Sequence, residues 1–214
     1  MSVITKIEEQ KNKKRVNIFV DDAFFCGLLK ETAVVFCLKP GKEIKEDVLK
    51  EAVFESEVKS AFNKATDYLG LRMHTKKELF EKLLKKGYEK PVIEKAISKL
   101  EEYHYVDDGM FAKQFVSSNS KLSKRMIENK LREKGVSSNS IDEASLNRSD
   151  DEEFELCFYH AQKYVSSKDM TKENAHQKLY ASLARKGFSF ENIKKACKKL
   201  KADDDGFDSY DLNP

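Results

Sequence analysis

The sequence predicts a mainly α-helical protein: three tandem three-helix units in an elongated, curved array, preceded by a small N-terminal β-hairpin segment. Three observations predict it. Charged residues make up 36% of the 214-residue chain and hydrophobic ones 40%, with three prolines, eight glycines and no tryptophan, a balance that suits short, solvated helices. Apolar residues recur at helical spacing from about Glu46 onward. One pattern of residues occurs three times, in Thr75–Leu100, Ser123–Leu146 and Ala175–Leu200.

The opening segment reads as strands. Val3, Ile4 and Ile7, then Val16, Ile18 and Val20, are β-branched and partly alternate, with the polar stretch Glu8–Lys14 between them. Asp21-Asp22 supplies a turn before Ala23-Phe24-Phe25, giving a hairpin or a three-stranded sheet. A helix is expected around Leu28–Leu38, stopped by Lys39-Pro40-Gly41-Lys42.

The repeats follow. Leu79, Ile127 and Leu179 align, as do Leu83, Leu131 and Leu183, the Lys-Gly pairs ending at Gly87, Gly135 and Gly187, then Ile93, Ile141 and Ile193. A further helix precedes each, marked by Phe62-Ala65-Tyr68-Leu69, Ala112-Phe115-Val116 and Phe158-Ala161-Tyr164-Val165. Thr75-x-x-Glu78 and Ser149-x-x-Glu152 are capping boxes, in which the hydroxyl and the carboxylate each satisfy a free N–H at the helix start. Each Lys-Gly pair ends its helix with the glycine in a left-handed conformation. The expected divisions are residues 1–45 for the β segment, 46–104, 105–148 and 149–202 for the three repeats, and 203–214 for an acidic disordered tail.

Several function classes lack their residues. The longest apolar run, Ala33–Leu38, falls far short of the ~20 residues of a membrane-spanning helix. The start MSVITKIEEQK has no apolar stretch of the secretory kind, so a cytoplasmic chain is expected. Cys26, Cys37, Cys157 and Cys197 form no C-x-x-C pair, and His74, His104, His160 and His176 are scattered, so neither a disulfide framework nor a metal site is expected. There is no glycine-rich phosphate loop and no nucleophile motif. Asp107-Asp108 suits a helix start better than an acid–base pair. The expectation is a protein that is not an enzyme and needs no cofactor.

Charge points to a partner. The five aspartates of residues 203–214 have no basic counterpart, so residues 1–202 hold +8 against +3 for the whole chain. A basic body fits a polyanionic partner. Arg72, Lys76 and Lys77 open the second helix of the first repeat. Lys124, Arg125, Lys130 and Arg132 occupy the same region of the second, and Arg185 and Lys186 close that helix in the third. Taken singly, each reads as a solvated helix face; as a set recurring at corresponding places they read as a phosphate-contacting face.

The ordered set of motifs resembles the regulatory protein RecX family. It comprises Thr75-x-x-Glu78-Leu79 through Leu83 to Lys86-Gly87 and an aromatic residue, Tyr105-Val106-Asp107-Asp108-x-x-Phe111-Ala112, and Lys178-Leu179-Tyr180 with Leu183-Ala184-Arg185-Lys186-Gly187-Phe188. Ile4-Thr5-Lys6-Ile7-Glu8 and Arg15–Asp21 resemble the N-terminal β segment of its longer members. The resemblance implies a non-catalytic, monomeric regulator that binds the recombinase RecA and its nucleoprotein filament. It also implies inhibition of RecA's ATPase, strand exchange and stimulation of LexA cleavage, with single- or double-stranded DNA as a further contact. Two other readings stay open: a direct DNA- or RNA-binding protein with helix-turn-helix-like repeats, and a protein-only helical scaffold.

Overall fold

In the computed structural model, residues 2–145, 149–168, 170 and 174–203 are described, and they fall into an N-terminal unit, Met1–Asp107, and a C-terminal unit, Asp108–Pro214. The expected acidic tail lies outside the described residues from Asp204 onward.

The N-terminal unit opens with an antiparallel sheet of order β3-β2-β1-β4, from β1 (Ser2–Glu9), β2 (Arg15–Val20), β3 (Ala23–Leu29) and β4 (Glu43–Ile44). Val16, Ile18 and Val20 alternate inward as their period requires, and with Ile4 and Leu28 they form the sheet's buried face. Asp21 and Asp22 both take positive φ in the β2–β3 turn, as aspartates tolerate. The register passes from Ile18↔Cys26 to Phe19↔Phe24, so Phe25 is a bulge residue.

Two expectations change here. The sheet has four strands rather than two or three, because β4 pairs with Ser2 and Val3 from more than thirty residues away. The helix expected over Leu28–Leu38 is only α1 (Lys30–Val35), since Leu28 and Leu29 complete β3 opposite Val16 and Arg15. It ends before the Lys39-Pro40-Gly41-Lys42 stop: Cys37 adopts φ +50 and the Leu38 N–H reaches the Ala33 carbonyl at 2.8 Å.

Helices α2 (Glu46–Leu69), α3 (Lys76–Leu84) and α4 (Lys90–Glu102) make repeat 1. Val58, Ala61 and Ala65 of α2 meet Leu79, Leu83, Ile93, Ala96 and Leu100, all buried. Each of those leucines and isoleucines contributes about 1.5–3 kcal/mol by leaving water. The first turns of α2 serve another core: Leu49 and Ala52 pack into the sheet's cluster, and Ser56 Oγ accepts from the Leu29 N–H at 2.7 Å. A single long helix therefore joins sheet and repeat.

In the C-terminal unit, α5 (Asp108–Ser118), α6 (Lys124–Glu133) and α7 (Ser138–Ser145) make repeat 2. Helices α8 (Asp150–Ser167), α9 (Ala175–Arg185) and α10 (Phe190–Asp203) make repeat 3. Each repeat has its own core, around Ile127, Leu131 and Ile141 in one and Leu179, Leu183 and Ile193 in the other. Asp108 starts α5, as its acidic side chain favours. Ser149 and Glu152 form the expected capping box, and Thr75 and Ser123 accept from the N–H of Glu78 and Met126.

All three repeats end their second helix identically. Gly87, Gly135 and Gly187 have φ of +89, +83 and +89. The N–H of Tyr88, Val136 and Phe188 reaches back to the Leu83, Leu131 and Leu183 carbonyls at 3.3, 3.0 and 3.3 Å. This is the Schellman arrangement, which satisfies carbonyls that the helix end leaves free.

Candidate functional site

The nine basic residues singled out in the sequence fall in different electrostatic settings. In repeat 1, Arg72 Nη1 lies 3.1 Å from Glu78 Oε2 and donates to the Met73 carbonyl at 2.8 Å. Lys76 Nζ lies 2.8 Å from Glu101 Oε1. Lys76 and Lys77 border a shallow groove of about 350 Å³ between α3 and α4, floored by Phe80 and Ile97, whose other rim carries Glu94 and Glu101. Basic charge in this repeat is matched by acidic charge.

The C-terminal unit differs. At the start of α6, Ser123 Oγ donates to the Lys186 carbonyl while accepting from the Met126 N–H. The Lys124 N–H donates to Glu153 Oε1 at 3.0 Å, and His160 Nε2 donates to the Lys121 carbonyl at 2.9 Å. Repeat 3 thus holds the first turn of α6 against its own glycine turn. The consequence is electrostatic. Lys124 and Arg125 of repeat 2 are brought beside Lys186, with Arg185 next to it in the chain, and all four are exposed. None of the four side chains has an ion-pair partner among the described residues. Lys130 is half-buried, and Arg132 lies 3.5 Å from Glu128 and 3.2 Å from Asn129 Oδ1. Farther along repeat 3, Lys195 pairs with Glu191 at 2.7 Å, and Lys199 sits 4.2 Å from the Phe158 ring centre and 3.3 Å from Glu155.

Sequence reasoning missed Glu153, His160 and the docking role of Ser123. The available signal was the hydroxyl at the cap position, shared by Thr75 and Ser123 and replaced by Ala175 in the last repeat.

Titratable groups elsewhere serve the fold. Burial raises the Cys26 thiol to about 11 and the Cys157 thiol to about 12, which keeps both protonated and unreactive. Among the described residues no group of His, Cys, Asp and Glu could hold a metal ion, and no helix is long and apolar enough to cross a membrane.

His74, 3% exposed, lies just before the Thr75 cap with Nδ1 3.0 Å from Glu78 Oε2. A carboxylate only accepts, so the neutral imidazole carries its proton on Nδ1. Burial lowers its pKa below the ordinary 6.5, helped by Arg72 and Lys82 and opposed by Glu78. The folded state therefore favours the neutral ring, and the unfolded chain binds the proton more readily. Stability from this group is present above pH 6.5 and is lost as the pH falls from 6.5 through the lower folded-state value. Urea midpoints of wild type and His74→Gln, compared from about pH 7.5 to pH 5, are expected to show the wild type losing more. Parallel curves would remove His74 from the acid response.

The chain matches four domains of one family. They are the Regulatory protein RecX N-terminal domain over residues 2–45 and the first, second and third RecX three-helix domains over 61–100, 107–144 and 150–197. A protein of Clostridioides difficile strain 630 named Regulatory protein RecX is 38% identical over 99% of this chain and 100% of its own length. One of Bacillus subtilis strain 168 with the same name is 34% identical over 96% of this chain and 80% of its own. A crystal structure titled regulatory protein RecX superposes with a TM-score of 0.68 at 25% identity, covering 91% of this chain and 100% of that one. Four consecutive domain matches and full-length relatives agree with the sheet and the three repeats. This chain belongs to the RecX family of regulatory proteins.

Proposed function

We propose that this chain is a non-catalytic cytoplasmic regulator that binds RecA and RecA–DNA filaments as a monomer. In this reading it inhibits RecA's ATPase, strand exchange and coprotease activity in recombination, repair and the SOS response. Residues 1–45 form its N-terminal module. Residues 46–104, 105–148 and 149–202 are its three repeats, and 203–214 its acidic tail. Family membership supports the partner. One observation carries the contact surface: Lys124, Arg125, Arg185 and Lys186, without ion-pair partners among the described residues, come from two repeats and meet where Ser123 docks on Lys186. Lys130 and Arg132 of α6 are further contacts of that unit, and Arg72, Lys76 and Lys77 are the contacts proposed for repeat 1. Several repeats bound along one filament would gain from effective concentration without stronger individual contacts.

Charge reversal tests it. Lys124→Glu, Arg125→Glu, Arg132→Glu, Arg185→Glu and Lys186→Glu together are expected to reduce co-sedimentation with preformed RecA filaments at one fixed salt concentration, and to relieve inhibition of DNA-dependent ATPase. The side chains are exposed, where substitutions usually move stability by about half a kcal/mol or less each, and Lys186, the C-cap of α9, acts there through its backbone, which the substitution keeps. Phosphate contacts release counterions, so wild-type binding should also fall as salt rises. A folded variant that binds and inhibits like the wild type would move the interaction off this face.

A further inference from the structure

Repeat 3 grips the start of α6 with four groups: the Lys186 carbonyl on Ser123 Oγ, Gly187 beneath that hydroxyl, Glu153 on the Lys124 N–H, and His160 on the Lys121 carbonyl. Repeat 1 carries the same constellation. Matching Ala61, Phe62, Ala65 and Tyr68 of α2 to Cys157, Phe158, Ala161 and Tyr164 of α8 puts Glu57 in the place of Glu153 and Lys64 in the place of His160. Lys86-Gly87 matches Lys186-Gly187 in the same turn, with φ +89 at both glycines. Lys64, whose ammonium lies 3.4 Å from Asp67 Oδ2 and 5.3 Å from the Tyr68 ring centre, has further N–H groups with which, like His160, it can donate to a carbonyl.

The two differ in what lies on them. A Cβ built on Gly187 would meet Ser123 Oγ at 2.6 Å and the Met126 nitrogen at 3.2 Å, whereas one on Gly87 would meet nothing within 4 Å. Glu57 is exposed and has no hydrogen-bond or ion-pair partner among the described residues. Beside it, Tyr88 is already fixed by a 3.0 Å hydrogen bond to Ser60.

We propose that Glu57, Lys64, Lys86 and Gly87 form a docking site for a partner protein's helix that starts with a Ser or Thr cap and a basic first turn. The cap hydroxyl donates to the Lys86 carbonyl. The helix's first free N–H donates to Glu57, and the carboxylate favours both the positive helix end and the basic side chains after the cap. Gly87 is needed because a side chain there would stand where the hydroxyl must come. The occupied twin fixes this chemistry, since its guest begins Ser123-Lys124-Arg125. Other helix starts of this chain do not suit the site. Ser123 is engaged by repeat 3, α8 begins with four acidic residues that Glu57 would repel, and α9 has Ala175 in place of the hydroxyl. Thr75, which caps α3 ahead of Lys76 and Lys77, is fully buried within repeat 1 itself, and the Ser137 and Ser189 caps of α7 and α10 are followed by no basic residue in the first turn. The site does not involve the basic face of the C-terminal unit, so it stands or falls separately from the RecA reading.

The probe is an acetylated peptide copying residues 122–134, titrated into the full ¹⁵N-labelled chain. Amide shifts are expected at Glu57, Lys86, Gly87 and Tyr88. Glu57→Ala in the protein, or Ser123→Ala in the peptide, should weaken binding by roughly tenfold or more, the effect of losing one hydrogen bond at such a site. Glu57 is exposed, so its replacement leaves the fold intact. Silence at those four amides, or unchanged affinity in Glu57→Ala, would overturn the proposal. Self-association of the chain that Glu57→Arg abolishes would also overturn it, by making the occupant a second copy.

Discussion

Gly187→Ala is expected to destabilise the C-terminal unit by roughly 2–4 kcal/mol, against about 1 kcal/mol in the N-terminal unit for Gly87→Ala. Both glycines have φ +89, so both substitutions incur the same left-handed strain. The added methyl group separates them. At Gly87 it enters open space, while at Gly187 it stands 2.6 Å from Ser123 Oγ and 3.2 Å from the Met126 nitrogen. Neither neighbour is a flexible chain end. Ser123 is 1% exposed and bonded to the Lys186 carbonyl, and Met126 N is fixed in the first turn of α6. Relief requires moving α6 off repeat 3, which breaks the Ser123–Lys186 and Lys124–Glu153 bonds together. Urea midpoints of the two variants give the comparison directly. A double-mutant cycle with Ser123→Ala should show non-additivity, because removing the hydroxyl removes most of the clash. Equal losses at Gly87 and Gly187 would show that the close approach carries no energy.

The difference between these glycines also marks where sequence reasoning stops. Their left-handed conformation was legible because it follows from local chemistry: a lysine-rich last turn, a glycine, then an apolar residue that reaches back to the helix. The caps at Thr75 and Ser149 and the three aligned cores at Leu83, Leu131 and Leu183 were legible for the same reason. What Gly187 touches was not, because Ser123 is 63 residues from the neighbouring Lys186 along the chain. β4 was hidden similarly: two residues, Glu43 and Ile44, carry no periodicity, and only Ser2 and Val3 make them a strand. The early end of α1 was missed because Cys37 takes the position usually given to glycine. Among the candidate site residues, the sequence placed basic side chains at matching positions of each repeat. It could not show that Glu78 and Glu101 engage Arg72 and Lys76 while Lys124, Arg125, Arg185 and Lys186 are left without such partners among the described residues. Net charge along a chain carries no information about which carboxylate folds back on which lysine.

Deleting residues 1–45 is expected to leave repeat 1 folded and to unwind the first eleven or so residues of α2. Two facts of packing divide that helix. Leu49 and Ala52 are buried only by the sheet's cluster, and Ser56, 1% exposed, accepts the Leu29 N–H. From Val58 onward the buried residues of α2 meet Leu79, Leu83, Ile93 and Leu100, a cluster with no member from residues 1–45. Without the sheet, the segment 46–56 keeps its backbone bonds but exposes Leu49 and Ala52, with Phe54 and the Glu55–Lys99 ion pair as its remaining ties to repeat 1. A solvated helix end of that length gains too little from propensity to offset the entropy of staying ordered. The truncated chain should therefore keep most of its helical circular dichroism and a cooperative thermal transition. Hydrogen exchange should show protection lost at residues 46–56 and retained from about Val58 to Leu69. Disappearance of the whole helical signal would make the sheet a condition for folding repeat 1. Full protection of 46–56 would mean that α2 stands without the sheet. Because the two cores share one continuous helix, the packing of α2 passes from the sheet's cluster to that of repeat 1 near Ser56.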